Sequence, residues 1–379
     1  MLRLRSYSVV AAFTAGLIGL TLSVAVPASG GVTAFKVGAS HANVPRSCDR
    51  SFDAYVASKS FLIRCGESIF PLKYIQRLPG GGRAYVYDVN GLRTVVTIAP
   101  KSFNPLKASD RQLAAYHYPP KPSGGQALRT WVSLVSKGHF ITPPRYLVSI
   151  HPPSSVPGVP TVINDHWAGN MATQCSTCRT YQDVFSTWVE PHYDSTPCPN
   201  PVMNSNWVGL GGFNTGTLVQ DGTAVGEENV GVASHQAWYE LINGPFDRFV
   251  PLPVSATAGQ KFTAETFHVQ GAYDLFVKNE FTGAKFFTAV SFSPFDGSTA
   301  ENITELPEGG LSAGIGLEKF DPFTVVDAEA SRDGVNFRGV ASFDHDDIIM
   351  FDHNHHEMAF AGSANSGGNS WVFNWVNCS

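Results

Sequence analysis

The sequence predicts an all-β protein, an antiparallel β-sandwich preceded by a smaller N-terminal segment. Three observations point there. From Val162 onward, short runs of alternating apolar residues recur about every ten residues, separated by Gly, Asn, Asp and Pro. No long helical pattern interrupts them, and many short strands without helices pack as two antiparallel sheets. Charged residues make up only 15% of the chain and hydrophobic ones 43%, with 36 Gly and 12% aromatic residues. That balance suits an extracellular β protein and excludes a disordered one.

The chain opens with Arg3 and Arg5, an apolar run from Val9 to Val26, and small residues at Val26-Pro27-Ala28. Residues 1–28 are therefore expected to be a signal peptide cleaved after Ala28. No basic stop-transfer cluster follows and no other stretch could span a membrane. A secreted protein without a membrane partner is expected.

Residues 29–160 are expected to be a basic prosegment that ends in a proline-rich linker. Ala84–Val89 and Leu92–Ile98 flank Asn90-Gly91, a two-residue hairpin signal. Ser109-Asp-Arg-Gln112 can cap one short helix. Nine prolines lie between 119 and 160, a density that denies backbone donors to helices and sheets. His151–Pro160 is expected to be a linker and processing region.

The net charge of −5 conceals an asymmetry. Residues 31–160 carry 16 Lys+Arg against 5 Asp+Glu, whereas residues 161–379 carry 8 against 26. The basic residues are dispersed, so nucleic acid is not the expected partner. An intramolecular one is: the basic segment would sit on the acidic domain near neutrality and loosen as carboxylates protonate, as in an acid-activated zymogen.

Residues 161–379 hold the sandwich. Phe262, Ala264 and Thr266 alternate in one run, Tyr273, Leu275 and Val277 share a face of the next, and Phe286, Thr288, Val290 and Phe292 a face of the third. Six cysteines, at 48, 65, 175, 178, 198 and 378, imply disulfides in an exported chain. Cys48–Cys65 is the one local pair expected. The lone Cys175-Ser-Thr-Cys178 lacks the second pair a zinc site needs.

The usual signatures of hydrolysis are absent: no Gly-x-Ser-x-Gly elbow, no His-Glu-x-x-His, no Asp-Thr-Gly or Asp-Ser-Gly. Four other segments occur in order: Asn206-Trp-Val-Gly-Leu-Gly-Gly212, Gly216-Thr-Leu-Val-Gln220-Asp-Gly222, Gln236-Ala-Trp-Tyr-Glu240 and Ser298-Thr-Ala-Glu301-Asn-Ile-Thr-Glu305. Together with His166-Trp167-Ala-Gly169, Ser186-Thr-Trp-Val-Glu-Pro191 and the closing Asn365–Trp375, this series resembles the eqolisins, the glutamic peptidases, over roughly residues 161–379. The resemblance implies two large curved, lectin-like sheets and a catalytic pair, Glu301 and Gln220. It implies a substrate groove with Trp167, Trp207 and Glu240, and with Trp238, which fits the core better than the groove. It also implies a polypeptide substrate, the prosegment as intramolecular inhibitor, an acidic pH optimum, and no cofactor or metal. A monomer is expected.

The implied roles are chemically sound. A Glu301 carboxylate near its ordinary pKa can take a proton from the attacking water at acid pH. The Gln220 amide can donate to the oxyanion at any pH. Three departures stand out: Gly211 replaces an Asp of the family pattern, Asn302 replaces the aromatic residue after the catalytic Glu, and Leu241-Ile242-Asn243 replaces aromatic-Tyr-Pro. The last removes a Tyr that lines the family's groove. A non-catalytic carbohydrate- or peptide-binding sandwich is the alternative. A two-carboxylate glycosidase would need a second acid facing Glu301. The Asp344–Asp347 and Asp352–His356 stretches read as a solvated charged hairpin, with a divalent-metal site as the alternative. Asn302-Ile-Thr304 and Asn377-Cys-Ser379 fit the glycosylation pattern, and a glycan at the first would obstruct the groove.

Overall fold

The computed structural model describes residues 35–36, 68–89, 92–136, 138–143, 146–149, 166–173, 178–194, 197–198, 202–213, 215–227, 234–243, 246–269, 271–307, 316–352 and 354–378. The expected signal peptide, the His151–Pro160 linker and the Cys48–Cys65 pair lie outside the described residues.

Alternating sequence produces the main strands in chain order. They are β1 (Tyr74–Arg77), β2 (Arg83–Val89), β3 (Leu92–Ile98), β4 (Tyr146–Ser149), β5 (Trp167–Thr173) and β6 (Asp183–Val189). There follow β7 (Val202–Gly211), β8 (Thr217–Glu227), β9 (Ser234–Asn243), β10 (Phe246–Ser255), β11 (Lys261–Val269) and β12 (Ala272–Asn279). The last are β13 (Ala284–Val290), β14 (Thr299–Glu305), β15 (Phe323–Ser331), β16 (His345–Phe351), β17 (Glu357–Ala361) and β18 (Trp371–Trp375).

Apart from β4, which pairs with Ser68–Pro71, they form two antiparallel sheets, as the sequence predicts. One, the site sheet, runs β10-β9-β8-β7-β14-β5-β16. The other, the back sheet, runs β1-β2-β3-β13-β12-β11-β6-β15-β18-β17. Strand β16 pairs with β5 at one end and β17 at the other, so the sheets join at that edge.

Between the sheets lies one large core. Val208, Leu210, Val219, Tyr239, Leu241 and Ala300 enter it from the site sheet, and Trp188, Phe262, Tyr273, Leu275 and Phe286 from the back sheet. Alternation sends Phe276 and Phe287 out of the back sheet's other face, where Leu113, Tyr118, Trp131, Leu134 and Val135 cover them.

The described part of residues 29–160 adds strands and a helical layer to this body. Val96, Val95 and Thr94 of β3 pair with Thr288, Ala289 and Val290 of β13. Tyr85, Tyr87, Val89, Val96 and Leu147 belong to the same core as Tyr239 and Val250. The expected hairpin forms, with Val89 opposite Leu92. Helix α1 (Asp110–Ala114) begins at the expected capping box, with Ser109 and Gln112 each accepting from the other's backbone N–H.

Helix α2 (Gly125–Ser136) was not foreseen. Its prolines lie outside it, at 119–122 and 143–144. Ala127, Trp131, Leu134 and Val135 recur at helical spacing and are buried. The Trp131 indole donates to the Pro119 carbonyl at 2.9 Å. Contact with the rest of the chain is thus largely strand pairing and apolar packing, with a His117 Nδ1–Asp274 Oδ1 hydrogen bond (3.1 Å) across it.

Cys198 and Cys378 form a disulfide that ties the chain's last residues to the start of β7. Cys178 is disulfide-bonded as well.

Candidate active site

Residues directly opposite each other on neighbouring strands share a face. One such row crosses the site sheet: Glu240 on β9, Gln220 on β8, Gly209 on β7, Glu301 on β14, Met171 on β5 and Asp346 on β16. The row beside it holds Trp238, Gly222, Trp207, Ile303, Gly169 and Ile348. Trp167 and Glu305 are paired in the row after that. All six residues singled out from the sequence therefore lie on one face, the face turned away from the sandwich core.

Gly209 makes the pair possible. Adjacent strands are roughly 5 Å apart, so the backbones of Gln220 and Glu301 are about 10 Å apart with only a glycine between them. A side chain at 209 would fill the gap: its Cβ would stand 2.9 Å from Trp207 Cζ3 and 3.2 Å from Gln220 Cβ. The Trp207 ring instead leans along the strand toward that space.

Glu301 is completely buried, and neither carboxyl oxygen has a hydrogen-bond partner. Burial pushes its pKa well above the usual carboxylate range; the Thr299 hydroxyl opposes this and the negative charge of Asp296 adds to it. The direction of that shift is away from the near-ordinary carboxylate expected from sequence. Gln220 is equally buried. Its Nε2 donates to Glu240 Oε2 while its Oε1 has no partner. A carboxylate can only accept, so this contact fixes which way the amide faces and leaves Nε2 a second N–H.

The aromatic residues are held from below. Glu305 accepts from the Trp207 indole at 2.6 Å and the Trp167 indole at 3.1 Å, and the two rings meet edge to face at 5.0 Å. Trp238 stacks on Phe249 at 4.9 Å and is buried with Met171, Trp207, Leu218 and Ile303 in a second apolar cluster. It faces the groove side but packs as core. Ile242, in place of the family's Tyr, packs at the edge of the same cluster.

The expectation for one departure changes. Asn302 cannot touch a substrate, because alternation points it into the sandwich, where it is buried and donates to Ser186 Oγ at 2.7 Å. The same burial closes its glycosylation motif to a glycan. At the charged hairpin, Asp352 accepts from the backbone of Asn354 and His356 and from His356 Nδ1 at 3.0 Å. Among the described residues no group of three His, Cys, Asp or Glu is placed to hold a metal ion.

Sequence reasoning missed Asp296, Glu305 and Gly209. The signal for Glu305 was present: it lies four residues after Glu301, on the same face of a strand. Asp296 lies in a turn and carries no such signal.

The sandwich thus bears a buried carboxyl, Glu301, and a buried amide, Gln220, on one outer face. Residues 165–368 match the Peptidase A4 family, and the chain belongs to that family, the eqolisin peptidases. A similar solved structure is described as the crystal structure of Scytalido-glutamic peptidase with a peptide based transition state analog. It is 16% identical, with 56% of this chain and 98% of that chain covered and a TM-score of 0.44. No curated protein matches the chain.

Proposed function

We propose that this protein is a secreted endopeptidase that acts at acid pH with Glu301 and Gln220 as its catalytic pair. The observation that supports this best is the placement of both residues opposite Gly209, on one face, each with an unpartnered oxygen. An extended peptide laid across the strands puts a carbonyl in the gap between them. Ionised Glu301 takes a proton from water, and the water oxygen attacks that carbonyl. The free N–H of Gln220 donates to the oxygen on which negative charge develops. Glu301 then returns the proton to the leaving nitrogen.

Burial means that the site must open before it acts. Glu301 and Gln220 are out of solvent contact in this chain, so water and substrate reach them only after the site opens. Opening hydrates Glu301 and brings its pKa back toward the carboxylate range, which lets it ionise under acid conditions.

The test is digestion of an unfolded protein between pH 2 and 7 by acid-treated enzyme, with new termini mapped by mass spectrometry. Internal cleavage confined to the acid range is expected. No cleavage at any pH by folded protein, together with glycan or peptide binding at the Trp167–Trp207 face, would replace this reading with a binding module.

A further inference from the structure

Gly211 lies at the end of β7, two residues past Gly209, with φ +83°. Side chains rarely tolerate that backbone. The space above it is already occupied by a carboxylate: a Cβ on 211 would stand 2.8 Å from both Cγ and Oδ2 of Asp296. Gly211 is the position at which the family pattern carries Asp. Here the carboxylate over this position comes from the turn before β14.

Asp296 is held on three sides. Its Oδ1 accepts from the Ser298 backbone N–H at 2.8 Å, shaping the turn that leads into β14 and Glu301. Its Oδ2 accepts from the Thr215 hydroxyl, and Thr215 in turn accepts from the Gly212 backbone N–H at 3.2 Å in the β7–β8 hairpin. Its peptide is bracketed by the Tyr273 hydroxyl, which accepts from Asp296 N at 3.1 Å and donates to Asp296 O at 3.3 Å.

We propose, building on the peptidase reading, that Asp296 is the positioning residue of the pair. Its carboxylate bolts the hairpin that carries Gly209 and Gln220 to the turn that carries Glu301, in place of a side chain at 211. The tie fixes the separation of the amide and the carboxyl across Gly209. It also sets a negative charge beside Glu301, and that charge acts with burial to raise the Glu301 pKa. The other titratable groups around Glu301 are Tyr273 from the back sheet, Glu240 beyond Gln220 and Asp346 beyond Met171. None of these links the two elements.

Three variants separate the tie from the charge. Asp296→Asn removes the charge and keeps the shape, with its oxygen on the Ser298 N–H and its NH2 turned to the Thr215 hydroxyl, which accepts in place of donating: kcat falls less than in Asp296→Ala and the acid limb of the pH profile moves to lower pH. Asp296→Ala loses both: kcat falls on the order of tenfold to a hundredfold, as for a misplaced reacting group, with KM little changed. Thr215→Val breaks the tie alone: kcat falls and the acid limb stays. Titration of the Glu301 carboxyl carbon by NMR, assigned with Glu301→Gln, reads the charge effect without any turnover. A lower Glu301 pKa in Asp296→Asn is expected even if the protein cleaves nothing, which separates this proposal from the peptidase reading. An unmoved Glu301 titration in Asp296→Asn overturns the proposal. So does wild-type kcat in both Asp296→Ala and Thr215→Val.

Discussion

Gln220 and Glu301 face each other across a single glycine, each directly opposite Gly209 from its own flanking strand. Anything seated in that gap touches an amide on one side and a carboxyl on the other. Gly209→Ala would place a methyl group 2.9 Å from the Trp207 ring and 3.2 Å from Gln220 Cβ. The expected result is a fall in kcat/KM on the order of a hundredfold from displaced groups, and a stability loss of about 1–3 kcal/mol from overpacking. Steady-state kinetics and urea denaturation on the same variant check both.

Glu305 serves two indole donors at once, Trp207 and Trp167. Glu305→Gln offers one acceptor oxygen and turns an NH2 group toward the other indole. The buried donor left unsatisfied costs about 1–3 kcal/mol. A lower urea midpoint and a changed tryptophan emission are expected, and an unchanged midpoint would mean the clamp is idle.

Stability should be greatest on the acid side of neutrality. Burial raises Glu190 to about 7 and Glu265 to about 8, and lifts Asp183 and Asp221 well above their ordinary range. A carboxyl whose folded pKa is raised binds its proton more tightly when folded. Its contribution is complete below the unfolded pKa, roughly 4, and is lost as pH rises through 7 and 8. His235 acts in the other direction: burial lowers it to about 4, so its contribution is lost as pH falls from about 6.5 toward 4. Asp274, Glu301 and Glu329 are raised as well, so seven carboxyls stand against two lowered imidazoles, His235 and His268. Calorimetry is expected to give a Tm at pH 5 higher than at pH 8 by about 5 °C or more.

The N-terminal layer should resist separation. Its strand β3 is hydrogen-bonded to β13, and Tyr87, Val89 and Val96 fill the common core. Screening by salt weakens exposed charge contacts and leaves such packing intact. A protein nicked between residues 150 and 165 is expected to elute as one species at 1 M salt and at pH 4. Release of the N-terminal fragment under either condition would restore a purely electrostatic prosegment. That test distinguishes the charge asymmetry of the two halves from the contacts that hold them.

The strands, the β2–β3 hairpin and the Ser109 cap were all legible, because period-two alternation and turn chemistry are local; the six site residues came from the family resemblance. The pairing of Thr94–Val96 with Thr288–Val290 was not, since nothing local encodes a partner nearly two hundred positions away. Helix α2 was hidden by neighbouring prolines that stop at its ends. Asn302 was misjudged although alternation alone puts it on the face opposite Glu301. Asp296 was invisible for a different reason: its role depends on its carboxylate filling the space over Gly211, a fact of three dimensions.

The most direct test of the central claim is single-turnover cleavage of a peptide at acid pH by wild type, Glu301→Gln and Gln220→Ala, each shown to be folded. Cleavage abolished in Glu301→Gln and slowed on the order of a hundredfold or more in Gln220→Ala is the predicted result. Cleavage that persists at the wild-type rate in Glu301→Gln would contradict the account and move the chemistry to another carboxyl.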